Sequence, residues 1–274
     1  MNILLLFISP GNTTAKVSRA LAERFEENGH TVTLLNIGRP GNRTYTEVDP
    51  EIFQSADIIG IGGPVFHLRN LPPLEAFLSN MLPLLNPLTK AFLYVTYGGI
   101  SSGKALLNLS ELLDRFHVPI MGAVKLWAPH FYNRMVYPDL DALLVIDRFI
   151  SGLEKNDYRP IEPLRLRELF SYQSPKVKIA YYLAEIVGES RKLPITFDAN
   201  RCKGCQRCVA ECPVGALRLY GIPVRDKKKC LYCYHCAIVC PSQAVICPTE
   251  KVAEMVKTNV KLLGWEQPRN EIFL

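Results

Sequence analysis

The sequence predicts an α/β protein in two parts: a doubly wound, five-stranded parallel sheet over residues 1–150, then a small α+β module rich in cysteine. Apolar runs of strand length alternate with amphipathic helical stretches through the first half of the chain. Three of the expected strands end in loops of glycine, proline and hydroxyl residues. Eight of the nine cysteines lie between residues 202 and 241, in two runs of identical spacing. A length of 274 residues, at about 150 residues per domain, agrees with two domains.

Residues 2–8 are a continuous apolar run, as suits a central strand buried on both faces. Ser9 to Thr14 are turn formers and hydroxyls that open a helix with Val17, Leu21 and Phe25 at four-residue spacing, closed by Asn28-Gly29. Thr31 to Asn36 is the next strand. This βαβ unit places backbone N–H groups and hydroxyls at a helix N-terminus, which is a phosphate site by construction. Ordinary helix caps use the same residues, so the loop alone leaves both readings open. Asp57 to Ile61 is a strand running into Gly62-Gly63-Pro64-Val65-Phe66-His67, and a helix follows near Leu74 to Ser79. Ala91 to Thr96 is a strand ending in Tyr97 to Ser102, followed by a helix from Lys104 to Phe116. Ile120 to Leu126 is the fifth strand, and a helix near Leu140 to Ile150 closes the unit. In such sheets ligands bind beyond the carboxyl ends of the strands, where strand order reverses. The three unusual loops, 9–14, 62–67 and 97–102, meet at that edge.

These loops resemble those of a flavodoxin-like domain. On that resemblance Ser9, Gly11, Asn12, Thr13 and Thr14 form the FMN phosphate loop. Pro64, Val65 and Phe66 lie beside one flavin face, and Tyr97, Gly98 and Gly99 beside the other. The resemblance implies an FMN-binding domain over residues 1–150, expected to bind the flavin without the rest of the chain. One departure is visible: the glycine of the phosphate loop sits one place early, at Gly11, so Asn12 must supply any positive φ there. The G-x-G-x-x-G of a dinucleotide site is absent, since Gly60-Ile-Gly62-Gly63 runs into Pro64.

Residues 151–195 read as a helical linker, with Arg159 to Pro163 as the break and helices at Leu164–Tyr172 and Val177–Val187. The second helix either touches a membrane surface or, the favoured reading, packs the two modules together. Cys202, Cys205, Cys208 and Cys212 precede Pro213, and Cys230, Cys233, Cys236 and Cys240 precede Pro241. The spacing C-x2-C-x2-C-x3-C-P is that of bacterial ferredoxins with two clusters, in which the fourth cysteine of each run ligates the other cluster. The expected ligand sets are therefore Cys202, Cys205, Cys208 and Cys240 for one [4Fe–4S] cluster, and Cys230, Cys233, Cys236 and Cys212 for the second. Zinc has no use for a third C-x2 step, and a disulfide framework suits a secreted chain. The runs repeat at an offset of 28 residues, and their tails match at Ala216-Leu217 and Ala244-Val245. Val209, Ala210, Ala237, Ile238 and Val239 are expected to line the clusters. With this module over residues 196–249, the whole chain resembles the fused flavodoxin–ferredoxin proteins. That family implies FMN, two [4Fe–4S] clusters and electron transfer. Residues 250–274 are read as a C-terminal helix and tail, with Val252, Met255, Val256 and Leu263 on a core-facing side.

The net charge of +6 is concentrated. Residues 196–249 carry 8 basic and 3 acidic side chains, against 20 and 19 in residues 1–195. Lys203, Arg207, Arg218, Arg225 and Lys227–Lys229 surround the cysteines, with only Asp198, Glu211 and Asp226 opposing them. The excess points to an acidic redox protein such as a ferredoxin as partner. It carries no nucleic-acid motif. No stretch reaches the roughly 18 apolar residues of a membrane span, and the apolar start is too short for a signal peptide, so a cytoplasmic location is expected. Oligomeric state is left open. His67 and His130 follow strand ends at the flavin edge and are candidate proton donors. Tyr97, Trp127 or Phe131 offers an aromatic surface there. His235 reads as a surface side chain and Cys247 as a buried free thiol. No catalytic residue is assigned. The functional reading is an electron-transfer iron–sulfur flavoprotein, working as a carrier or as part of a larger redox complex, with a flavin-dependent reductase or a redox sensor as alternatives.

Overall fold

Every residue of β1 (Asn2–Phe7) after Asn2 is buried, and such a strand is stable only with both faces covered. The computed structural model describes residues 1–38, 45–130, 135–187 and 194–274. It flanks β1 with β2 (Thr31–Asn36), β3 (Ile58–Pro64), β4 (Lys90–Tyr97) and β5 (Ile120–Trp127), all parallel. Their order, 2-1-3-4-5, is the flavodoxin-like doubly wound arrangement, and it reverses between β1 and β3. The helices are α1 (Thr13–Glu27), the short α2 (Glu51–Gln54), α3 (Pro72–Met81), α4 (Ala105–Arg115) and α5 (Leu140–Lys155). Ile3, Leu5, Phe92 and Tyr94 face α1 and α5, where Val17, Leu21 and Phe25 are buried as their spacing requires. Leu4, Leu6, Ile59 and Leu93 face α3 and α4.

Residues 151–195 are not a free link. α6 (Pro163–Leu169) buries Leu166, and Phe170 after it, in the core shared with α4. The Ile161 N–H donates to the Ile120 carbonyl at 2.7 Å. α7 (Pro175–Val187) buries Val177 and leaves Ile179, Tyr182 and Leu183 exposed, while the side chains of residues 181 and 184–187 lie outside the described residues.

The cysteine module consists of β6 (Thr196–Phe197), α8 (Arg207–Ala210), β7 (Leu217–Tyr220), β8 (Ile222–Arg225), α9 (His235–Ile238) and β9 (Val245–Ile246). β6 pairs with β9, tying the start of the first run to the end of the second. β7 and β8 form a hairpin. Val209, Ala237 and Val239 pack into the module core, but Ala210 and Ile238 are exposed, because each is the last residue of a four-residue helix that buries its cysteine. The module touches the first domain through Leu231, which packs on the α3–α4 core, and through Pro213 beside Gly38.

α10 (Thr249–Leu263) has the expected bounds, but its apolar side is not a core face: Val252 alone among those four residues is buried. Beyond it the chain returns to the first domain as β10 (Glu271–Phe273), antiparallel to β5. The expected five-stranded parallel sheet is therefore six-stranded and mixed, in the order β10-β5-β4-β3-β1-β2, and is not contained within residues 1–150. The physical reason is Lys125, which is 0% exposed in β5 and needs anionic partners. Glu266 and Glu271 supply them at 2.7 and 2.8 Å, and Tyr172 lays its ring 4.1 Å from the ammonium. Phe273 is buried, stacked on Tyr172 with ring centroids 5.5 Å apart.

A chain stopped after Gly264 loses both carboxylates around Lys125, a cost of about 3–5 kcal/mol, from a total stability on the order of 5–15 kcal/mol. It also loses the Phe273 side chain, at about 3–5 kcal/mol. Its urea midpoint should collapse, and adding Lys125→Met to the shortened chain should recover part of it. An unchanged midpoint would mean that β10 contributes nothing.

Candidate functional site

Ser9 to Asn12 turn the chain from β1 into α1, and Asn12 holds φ 63°, the left-handed conformation that the early glycine demands. The Asn12 N–H donates to the Ser9 carbonyl at 3.2 Å, and the Ala15 N–H donates to Ser9 Oγ at 2.9 Å. Ser9 and Asn12 thus shape the loop and do not line the cleft beside it, whereas Gly11, Thr13 and Thr14 do. Among the described residues the backbone N–H groups of Gly11, Thr13 and Thr14 meet no protein acceptor. Free N–H groups at the N-terminus of a long helix are an anion seat, which fits a phosphate. Thr14 Oγ1 is engaged with Thr96 Oγ1 at 2.8 Å, pinning α1 to β4.

The second loop begins where the Val65 N–H donates to the Thr96 carbonyl at 2.7 Å. Phe66 and Arg69 exchange backbone bonds at 2.8 and 3.1 Å, with His67 and Leu68 both at positive φ, which makes a two-residue hairpin tip. Its Leu68 carbonyl accepts the Lys104 N–H at 2.9 Å. Gly103 has φ 66°, and a Cβ there would stand 2.0 Å from the Leu68 oxygen, so only glycine lets the second loop rest on the third. In the third loop the Tyr97 hydroxyl donates to the Arg269 carbonyl at 2.7 Å, which holds the ring against the returning segment.

Pro64, Val65, Phe66, Tyr97, Gly98 and Gly99 line one cleft of about 640 Å³ together with Gly11, Thr13 and Thr14. That size suits a cofactor. His67 and His130 line it too. His67 is exposed at its hairpin tip, and burial pushes His130 below the usual imidazole range, favouring the neutral ring. Trp127 is not in the cleft: it meets Trp265 edge-on at 6.1 Å under the Arg269 guanidinium and covers the sheet end. Phe131 lies outside the described residues. The opposite wall comes from the second module: Tyr232, Cys233 and Tyr234, with Val252, Met255, Val256 and Leu263 of α10.

Cys202, Cys205 and Cys208 of the first run share a cavity with Cys240, the last cysteine of the second, although among the described residues no three of the thiols converge on one point as a single metal ion would require. Burial raises the Cys208 pKa, and the nearby Cys240 raises it further. In the other set, burial pushes Cys233 up to about 12, with Cys212 and Cys230 acting the same way. Cys236 is raised by burial and then by Cys233, Cys230, Cys212 and Cys208. Thiols this close stay protonated unless positive charge sits among them, a donor set that fits a bound multi-iron cluster. Backbone geometry repeats with the 28-residue offset. Gly204 and Tyr232, Gln206 and Tyr234, and Gly215 and Gln243 all have positive φ. The Ala216 and Ala244 N–H groups each donate 3.2 Å to the sulfur four residues back, Cys212 and Cys240.

His235 departs from expectation: it is buried, whereas Arg207, which follows a left-handed residue at the same place in the first run, is exposed. The His235 Nε2 lies 3.3 Å from Glu211 Oε2, and Glu211 also accepts from Arg207 at 3.0 Å, bridging the two runs. Cys247 is half-buried against the module core, and burial raises its pKa. Lys203, Arg207, Arg218 and Lys227–Lys229 are exposed, while Arg225 lies 4.7 Å over the Tyr232 ring. Asp198 pairs with Arg201 at 3.2 Å. The Lys229 and Lys228 N–H groups hold Asp226 below the usual carboxylate range. Sequence reasoning misses the α10 wall, Tyr232 and Tyr234; the available signal is the repeat, which carries the glycine conformation of Gly204 onto Tyr232.

Residues 195–218 match the family model described as the 4Fe-4S binding domain. An uncharacterized ferredoxin of Methanocaldococcus jannaschii is 42% identical over 64 residues, covering 22% of this chain and 42% of that protein. A probable iron–sulfur protein of the Frd operon of Proteus vulgaris is 29% identical over 97 residues, covering 28% and 62%. The chain thus spans less than two thirds of the length of either relative. Among solved structures, a flavodoxin from the domain Archaea aligns at 16% identity with a TM-score of 0.45, over 58% of this chain and 100% of that one. The strand order and the family match define the class: a flavodoxin-like fold fused to a 4Fe-4S ferredoxin-type domain. Among the described residues no helix is long and apolar enough to cross a membrane.

The left-handed Asn12 gives a direct test of the first loop. Asn12→Gly should keep thermal stability, while Asn12→Val should lose about 1–2 kcal/mol, the cost of that conformation for a side chain branched at Cβ. Equal stability of the two variants in a thermal melt would refute the loop geometry.

Proposed function

We propose that the chain is an electron-transfer iron–sulfur flavoprotein that carries electrons for a redox partner, with FMN in the cleft and two [4Fe–4S] clusters in the cysteine module. One observation carries the reading: Cys233 and its neighbours Tyr232 and Tyr234 line the same cleft as the three loops of the sheet edge. When bound, clusters pass single electrons and a flavin takes one or two. The Gly11, Thr13 and Thr14 N–H groups would hold the FMN phosphate, and Pro64–Phe66 and Tyr97–Gly99 would flank the ring. The set of Cys230, Cys233, Cys236 and Cys212 is then the inner cluster. The set of Cys202, Cys205, Cys208 and Cys240 is the outer one, with Cys205 exposed beside Lys203 and Arg207. A reductase of small substrates would use the same cleft, where the neutral ring of His130 would hydrogen-bond the substrate and the transferred proton would come from solvent. Turnover of a small acceptor as fast as flavin reoxidation would favour that reading.

Anaerobically purified protein should contain about eight iron, about eight sulfide and one FMN. Cys240→Ser should remove the outer cluster and Cys212→Ser the inner one. Cys240→Ser should also slow flavin reduction by a reduced ferredoxin at least about tenfold. Flavin-free protein under all conditions, or cluster loss confined to each cysteine's own run, would overturn the assignment.

The exposed lysines predict an acidic partner. Neutralising Lys227, Lys228 and Lys229 together should slow reduction by an acidic ferredoxin about tenfold or more at low ionic strength. Near 1 M salt, where the Debye length is about 3 Å, variant and parent should converge. A rate indifferent to both would leave the partner's charge without support.

A further inference from the structure

Glu266 lies outside every motif in the sequence, yet it makes a dense set of polar contacts beside the cleft. Its Oε2 accepts from Ser101 Oγ at 2.5 Å and from the Ser102 N–H at 3.0 Å. Its Oε1 accepts from Ser102 Oγ and from Lys125 Nζ, both at 2.7 Å. Its own N–H donates to the Ile100 carbonyl at 2.8 Å. The side chain is 7% exposed, so these bonds act with little competition from water. Glu266 follows α10, which forms the far wall of the cleft, and it grips Ile100–Ser102, the continuation of Gly98 and Gly99 on the near wall. Glu271 offers an internal comparison. It shares Lys125 at 2.8 Å, but it sits in β10, whose backbone pairs with β5 and not with the third loop.

We propose that Glu266 is a positioning residue that latches the cleft: its carboxylate fixes the Tyr97–Ser102 loop and the end of α10 to each other, and so sets how tightly FMN is retained. This rests on the reading that FMN occupies the cleft. The latch spans two segments far apart in sequence and joins the two walls that enclose the cofactor. Loosening it removes the tie between the loop and the end of α10 and leaves the loop on its bonds to Tyr172 and Gln173, whereas removing Glu271 disturbs the lysine and leaves the Glu266 tie in place.

The test uses the full-length holoprotein. FMN release is followed by flavin fluorescence after dilution into an excess of a flavin-scavenging apoprotein. Glu266→Gln should release FMN about tenfold or more faster, the scale of losing hydrogen bonds to a charged group, while Glu271→Gln stays within about threefold of the parent. Visible circular dichroism of the bound flavin should change in Glu266→Gln and not in Glu271→Gln. Should Glu266→Gln fail to fold, Ser102→Ala keeps the pair with Lys125, removes a hydroxyl bond to Glu266 and should speed release beyond any effect of Tyr172→Phe, which removes that hydroxyl's other partner. Amide exchange of Ser102 in the flavin-free chain gives a readout independent of the cofactor, expected to be about tenfold faster in Glu266→Gln. Parent-like release or parent-like Ser102 exchange in the foldable variants overturns the latch. A parent protein that takes up no FMN overturns the flavin reading, and Ser102 exchange then still decides whether Glu266 holds the loop.

Discussion

A lysine ammonium with no exposed surface, in the last strand of a parallel sheet, sets the terms for the whole molecule. Lys125 cannot be buried without counter-charge, and its carboxylate partners are not among the first 150 residues. They come from beyond the cysteine module, so the chain must leave the sheet, build the module, cross back along α10 and add a strand. Each of these steps places something at the cleft. The module brings Tyr232 to Tyr234, α10 brings an apolar wall, and the segment between α10 and the returning strand holds Tyr97 and Ser102 in place. What reads as two independent modules in series is a sheet interrupted by a cysteine module and closed after it.

Much of this is legible in the sequence wherever local chemistry leaves few alternatives. β1 can be read because a run of apolar residues with no polar alternation has one natural home, between two layers. The cysteine runs can be read because their spacing is characteristic, and residues 195–218 match the 4Fe-4S binding domain. Asn12 is legible as the residue that must turn left-handed once the glycine has moved. The edge loops are legible as a group because parallel strands end on one side.

The remainder depends on pairings across long stretches of chain. β10 is three residues with no pattern of its own, and its place follows from a charge and an open edge in β5. The visible hint is Lys125 itself, a cation between Val124 and Leu126 in a strand that should be apolar throughout. The period of α10 is local and gives its bounds, but periodicity tells which side of a helix is apolar and not what that side faces. His235 eludes the sequence for a related reason: it is buried beside Glu211 of the other run, while Arg207, the matching residue one repeat earlier, is exposed.

The path of the chain also constrains the order in which the molecule can be made. During synthesis the first domain emerges with the β5 edge unpaired and Lys125 without its carboxylates, and both wait until the cysteine module has followed. The third loop at the sheet edge lacks its bonds to Glu266 and Arg269 for the same interval. Closure of the cleft is therefore conditional on the module having been translated, and a ribosome that stalls before the second cysteine run leaves a first domain that is open and exposed to proteolysis. Order is written into the topology: the cleft at the sheet edge is completed only after the cysteine module that supplies its far wall exists.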